Sequence, residues 1–166
     1  MDILGKFLRE NLVPKADWIV EIEESAMHFA QHRVPDIQIK HKFRKIYWMI
    51  DVKCQYDSPS NMSNRDEWNQ AKYSDVVTAT RNSLGQAWDV RILSFVIGCL
   101  GSWYIPNGEY LSQLAFSSEQ IEQLAFDCAK SAVKSSAAVW KKFIGAIEAV
   151  QDNEDGPNYD DDPSDT

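Results

Sequence analysis

Residues 89–100, "DVRILSFVIGCL", form a nearly continuous apolar run rich in β-branched side chains. A run of that kind is expected to be a central β-strand covered on both faces, because a strand with one wet face would alternate. It therefore demands a sheet with helices packed against each side, and the rest of the chain supplies them. Residues 2–13 carry Ile3, Phe7, Leu8 and Leu12 at helical spacing and are stopped by Pro14. The spacing predicts a second helix closed by Gly85 over "RDEWNQAKYSDVVTATRNSLG", capped by Ser63 or Asn64 after a loop "DSPSNMSN". Its expected buried stripe is Trp68, Ala71, Val76 and Ala79, with Tyr73, Val77 and Leu84 beside it. A short helix over "NGEYLSQLAF" precedes a long one over about 118–147, introduced by the Ser117–Gln120 capping box. The stripe of the long helix, Ile121, Leu124, Ala125, Cys128, Ala132, Val139, Trp140, Phe143 and Ile147, is expected to pack on the sheet.

Three more strands come earlier. In "DWIVEIEES", Trp18, Val20 and Ile22 alternate with Ile19, Glu21 and Glu23. In "PDIQIKH", Ile37 and Ile39 oppose Asp36, Gln38 and Lys40. In "KIYWMIDVKCQY", Ile46, Trp48, Ile50, Val52 and Cys54 share one face, while Tyr47, Met49, Asp51 and Lys53 share the other. A hairpin with its tip near residues 42–45 brings Asp36 and Asp51 together at its far end. The fold class is α/β or α+β. Its order is helix, three strands, helix, strand, then C-terminal helices, around a mixed four-stranded sheet.

Two aspartates at adjacent strand ends, facing out of the core, offer hard oxygen donors suited to Mg²⁺ or Mn²⁺. A lysine two residues beyond the second can stabilise the charge that builds up on a phosphodiester. The pattern is Pro-Asp followed by acidic-x-Lys, here Asp36, Asp51 and Lys53, as in restriction-like nucleases. It is short, and a charged, solvated hairpin face accounts for it as readily. Lys40, Lys42, Arg44 and Lys45 crowd the turn, where they can meet DNA phosphates or simply solvent. "GCLGSW", residues 98–103, can offer backbone amides to a phosphate or serve as a tight strand exit. Glu21 or Glu23 can complete a metal shell, and His28 and His32 are weak candidates for a general base.

Net charge is −8, but seven of the 25 acidic residues lie in 152–166, leaving 18 acidic against 17 basic in the body. That segment, with two prolines, reads as a disordered acidic tail over 148–166 after a domain over 1–147. It is either a solubilising tail or a mimic of nucleic-acid phosphate. Three cysteines at no metal-ligand spacing suggest reduced thiols in an intracellular protein. No apolar run approaches a membrane span, and the first residues lack the order of a signal peptide.

Taken in order, "WIVEIEES", "PDIQI", "IDVKCQYDS", "WNQAKYSDV", "FVIGCLGSW" and "SSAAVWKKF" resemble the restriction-like (PD-(D/E)xK superfamily) endonuclease domain of site-specific non-LTR, LINE-type retrotransposons. The resemblance covers about residues 15–145. It implies a restriction-endonuclease-like core and metal-dependent nicking of DNA in the nucleus, leaving a 3′ end that primes reverse transcription. Asp36 and Asp51 match the family's metal-binding acids, and Lys72 and Tyr73 match its helical Lys-Tyr pair. Many such domains lack a lysine at the position of Lys53, so Lys53 and Lys72 both stand as catalytic candidates. The implied partners are DNA and a reverse transcriptase domain or element RNA, with no membrane and no small-molecule cofactor. No polymerase sequence or Cys/His knuckle precedes the motifs, which leaves an alternative: an inactive, truncated or domesticated derivative that binds nucleic acid or protein.

Overall fold

A computed structural model describes residues 2–15, 17–22 and 35–154. The elements run α1 (Asp2–Leu12), β1 (Trp18–Ile22), β2 (Ile37–His41), β3 (Ile46–Gln55), α2 (Pro59–Lys72), α3 (Ser74–Leu84), β4 (Asp89–Gly98), α4 (Ile105–Gln113) and α5 (Ser118–Glu154). The chain forms two compact units, Met1–Val133 and Lys134–Thr166. The first contains a four-stranded mixed sheet in the order β1-β2-β3-β4; β3 and β4 are parallel and the other pairs antiparallel. No helix among the described residues is long and apolar enough to cross a membrane.

The alternation in β3 is what separates two cores. Trp48 and Ile50 join Trp18, Val20, Ile37, Ile39, Leu93, Phe95 and Ile97 on one face, closed by α1, α4 and the start of α5. Tyr47 and Met49 face the other way and pack with Val90, Tyr73 and Val76 under α2 and α3. The aspartate-bearing face therefore does not point out of the core, as the charge pattern suggested. It is the floor of a second core.

Further expectations are corrected. The single helix over 65–85 is two, broken at Tyr73, whose φ of −103° and ψ of 6° end α2 and start α3. The first begins at Pro59, inside the expected loop, because proline suits the opening turn of a helix. The break shifts the helical phase, so the buried stripe of α2 is Met62, Asp66 and Asn69, while Trp68 is 50% exposed. The strand expected at the centre, β4, lies at the sheet edge although both its faces are covered. In α5, Leu124 and Cys128 are buried, but Val139, Trp140 and Phe143 are exposed. That helix continues to Glu154, past the expected end near residue 147. Residues 155–166 lie outside the described residues.

The β4 edge is closed by a side chain. Asn107, fully buried on α4, accepts from the Val96 N–H at 3.1 Å and donates to the Val96 carbonyl at 2.7 Å. It makes the pair of hydrogen bonds a fifth strand would make. Arg81 caps the Val90 carbonyl at 2.9 Å lower on the strand. Asn107→Ala strands a buried N–H and C=O, so it should cost about 1–3 kcal/mol. Urea unfolding reads this as a lower midpoint at unchanged slope.

Candidate active site

Asp51 sits in the middle of β3, paired in register with Ser94 of β4, and is 2% exposed. Three side chains converge on it. The Tyr73 hydroxyl donates to Asp51 Oδ1 at 3.0 Å, and Lys72 Nζ donates to the same hydroxyl at 3.3 Å. Lys53 Nζ stands 2.6 Å from Asp51 Oδ2. This last contact is an ion pair rather than a well-aimed hydrogen bond, since Oδ2 is buried with no hydrogen-bond partner in good geometry. Tyr73 reaches Asp51 because the break between α2 and α3 turns its ring onto the sheet, where it is 1% exposed.

Asp36 immediately precedes β2. Ile37 pairs with Ile50, which sets Asp36 beside Asp51 at the same end of the hairpin. Its Oδ2 accepts from the Val52 N–H at 2.5 Å, the amide next to Asp51. Of the sequence-derived site residues, Asp51, Lys53, Lys72 and Tyr73 are thus joined by side-chain contacts, and Asp36 is held on the amide that follows Asp51.

The basic turn divides. Lys42, Arg44 and Lys45 are exposed with Phe43, which is 79% exposed, at the hairpin tip. Lys40 instead lies along β2, pairing with Glu21 at 3.4 Å and covering the Tyr47 ring at 4.9 Å. Glu21 is therefore committed to Lys40. Burial, followed by the charge of Glu21, pushes the Tyr47 hydroxyl up to about 12, and it bonds Gln38. Glu23, His28 and His32 lie outside the described residues.

The amides of residues 98–103 are not offered to a phosphate. The Asp57 carboxylate takes the Leu100 N–H at 2.6 Å, the Ser102 N–H at 2.9 Å and the Cys99 thiol at 3.2 Å. A Cβ at Gly98 would run into this carboxylate, which is why the turn needs glycine there. Burial alone raises the Asp57 carboxyl, but the hydrogen bonds from Ser102, Leu100 and Cys99 outweigh it and pull it down to about 2.

Sequence reasoning missed three participants. Ser94 is the one small polar residue in the apolar run of β4, a signal that something polar lies at its depth. It accepts from Asn69 Nδ2 at 3.1 Å, and Asn69 is fully buried with its Oδ1 unpartnered. Asp66, also buried, accepts from Gln70 at 3.0 Å, Tyr104 at 3.2 Å and Tyr110 at 3.4 Å, which ties α2 to α4. Burial and then the Asp66 charge push the Tyr110 hydroxyl up to about 12.

Asp36 and Asp51 are hard oxygen donors, the type that Mg²⁺ and Mn²⁺ take, and Asp51 Oδ2 has lone pairs left over. Among the described residues no group of three or more His, Cys, Asp or Glu side chains is placed to hold a metal ion. No protein-family model matches the chain, and no curated protein is significantly similar to it.

Tyr73→Phe removes the hydroxyl between Lys72 and Asp51 and leaves a buried carboxylate oxygen short of a donor. It should lower stability by about 1–2 kcal/mol in urea unfolding. The acid behaviour of Asp57 follows from its sign. Its folded pKa of about 2 lies below the usual 3.8, so its stabilisation is complete above about pH 4 and is lost as pH falls through about 2. The stability gap between wild type and Asp57→Asn should therefore be constant near neutrality and shrink from pH 4 to pH 2 in acid-unfolding curves.

Proposed function

We propose that the chain is a Mg²⁺- or Mn²⁺-dependent DNA endonuclease with a restriction-endonuclease-like core, of the kind that nicks target DNA in non-LTR retrotransposition. One observation carries the reading: Asp51, Lys53, Lys72 and Tyr73, named from a short motif and a resemblance, meet in one chain of side-chain contacts, and Asp36 is held on the Val52 amide next to Asp51. The α1-β1-β2-β3-α2-α3-β4 order, with the acidic pair at one hairpin end, agrees with that core.

In this reading Asp51 and Asp36 would hold the divalent cation, which would supply Lewis-acid polarisation of the phosphodiester and lower the pKa of a bound water. The remaining work belongs to the chain. Tyr73 fixes the rotamer of Asp51 through Oδ1, leaving Oδ2 directed at Lys53. The Val52 amide fixes Asp36 in the same way. The Lys53 ammonium, already at the carboxylate, can hold the attacking water or the anionic phosphate. Lys72, held on the Tyr73 hydroxyl, can stabilise the charge that develops on the leaving oxygen. On this reading the protein would act in the nucleus, where a reverse transcriptase or element RNA would use the freed 3′ end.

One feature favours a second reading, a non-catalytic binding module: the Lys53 ammonium is ion-paired directly with Asp51. Nicking of supercoiled plasmid in Mg²⁺ or Mn²⁺ decides between them. Wild type should nick, and Asp51→Asn, which keeps the side chain's shape, should lose about 10²-fold or more. Lys53→Ala and Lys72→Ala show which ammonium serves the reaction. Equal inertness of wild type and Asp51→Asn with both metals, together with retained DNA binding, would establish the second reading.

A further inference from the structure

One flank of α2 carries two side chains, Arg65 and Trp68, that the site does not use, in line with a third, Lys72, that it does. Arg65, Trp68 and Lys72 recur at i, i+3 and i+7, so they line one ridge of the helix over about 10 Å. The Arg65 guanidinium lies over the Trp68 ring with Cζ 4.3 Å from its centroid, and Lys72 Nζ lies 5.5 Å from the same centroid. Trp68 is nevertheless 50% exposed. Arg65 makes no ion pair with an acidic side chain among the described residues, and its Nε is buried without a hydrogen-bond partner. The ridge ends at the site: Lys72 also lies over the Tyr73 ring at 4.6 Å and bonds the hydroxyl that holds Asp51.

Packing does not explain the array. The buried stripe of α2 is Met62, Asp66 and Asn69, and Trp68 lies off it. An exposed indole between two cations offers what an unpaired polynucleotide needs: a flat ring for a base and positive charge for the flanking phosphates. Bases in an intact duplex are stacked on both faces, so an indole on a convex helix can stack only on a base that has left the stack. The occupant that fits is single-stranded DNA.

We propose that Arg65 and Trp68, with Lys72 at the end nearest Asp51, form a binding rail for an unpaired DNA strand. A base stacks on Trp68, and Arg65 takes the phosphate beside it. The inference builds on the nuclease reading only for what the strand is led to; binding at the rail needs no metal and no cleavage.

The test is fluorescence anisotropy with labelled dT12 and with a 12-base-pair duplex, in EDTA, on the full chain. Wild type should bind dT12 more tightly than the duplex. Trp68→Ala should weaken dT12 binding about tenfold, Trp68→Phe should restore most of it, and duplex binding should change less than twofold for either. Arg65→Gln should reduce the slope of log affinity against log salt by about 0.7, the loss of one phosphate contact to a single strand. Unchanged thermal melts for these variants would separate binding loss from unfolding. The rail is overturned if wild type prefers the duplex, or if Trp68→Ala and Arg65→Gln bind dT12 like wild type. The plasmid assay fails or succeeds separately: an inert wild type that still binds dT12 through Trp68 sinks the nuclease reading and leaves the rail standing.

Discussion

A carboxylate that is 2% exposed in the middle of a strand covered on both faces is the constraint on which this architecture turns. Burying such a group without partners is far costlier than burying any apolar side chain, so Asp51 requires groups brought to it from elsewhere. Lys53 comes from the same strand, two residues on, and needs only the strand's own alternation. Tyr73 comes from the opposite layer and needs much more. Its hydroxyl meets Oδ1 only because the helical segment breaks at that residue, with Asn69 and Ser94 bonded across the layer one turn earlier. The split of one expected helix into α2 and α3 is thus not a detail of the connection. It is how the upper layer delivers a donor to the lower one.

What the sequence made legible was whatever depended on a period of two. The β3 alternation sorts Trp48 and Ile50 from Tyr47, Met49 and Asp51, and the hairpin tip at 42–45 follows from the same count. The convergence of Asp36, Asp51 and Lys53 follows as well, because strand pairing carries register over long distances. What stayed hidden depended on helix phase and on polar burial. A single stripe through Trp68, Ala71, Val76 and Ala79 assumes one unbroken helix, and nothing in "QAKYSD" announces a break. Asp66 and Asn69 are buried because tyrosines and a serine from other elements meet them, partners that local hydrophobicity cannot foresee.

The misplacement of β4 has a similar cause. A strand apolar on both faces reads as central, since central strands are usually the ones enclosed. Faces and edges are separate questions, however. Helices can enclose both faces of a terminal strand while its outer N–H and C=O groups still need partners. Here Asn107 provides them at Val96, and the return of the chain through Trp103 bridges Ile97. One buried amide side chain does the work of a neighbouring strand, so the apolar run could move to the edge without exposing its backbone.

The charge of the body bears on how any polynucleotide could be held. With 18 acidic and 17 basic residues outside 152–166, no broad positive field draws a polyanion to the molecule. Attraction has to arise locally, where cations lack acidic neighbours. The structure divides its cations along that line. Lys40 and Lys53 are spent on Glu21 and Asp51, whereas Lys42, Arg44 and Lys45 are exposed at the turn and Arg65, beside Trp68, makes no ion pair among the described residues. The turn lies about 17 Å along β3 from Asp51, at 3.3 Å per residue. The α2 ridge, by contrast, runs up to Asp51 through Lys72 and Tyr73. The two clusters are therefore not one surface. Distance suits the first to anchoring phosphates away from the reacting group, and contact suits the second to placing the strand that enters it.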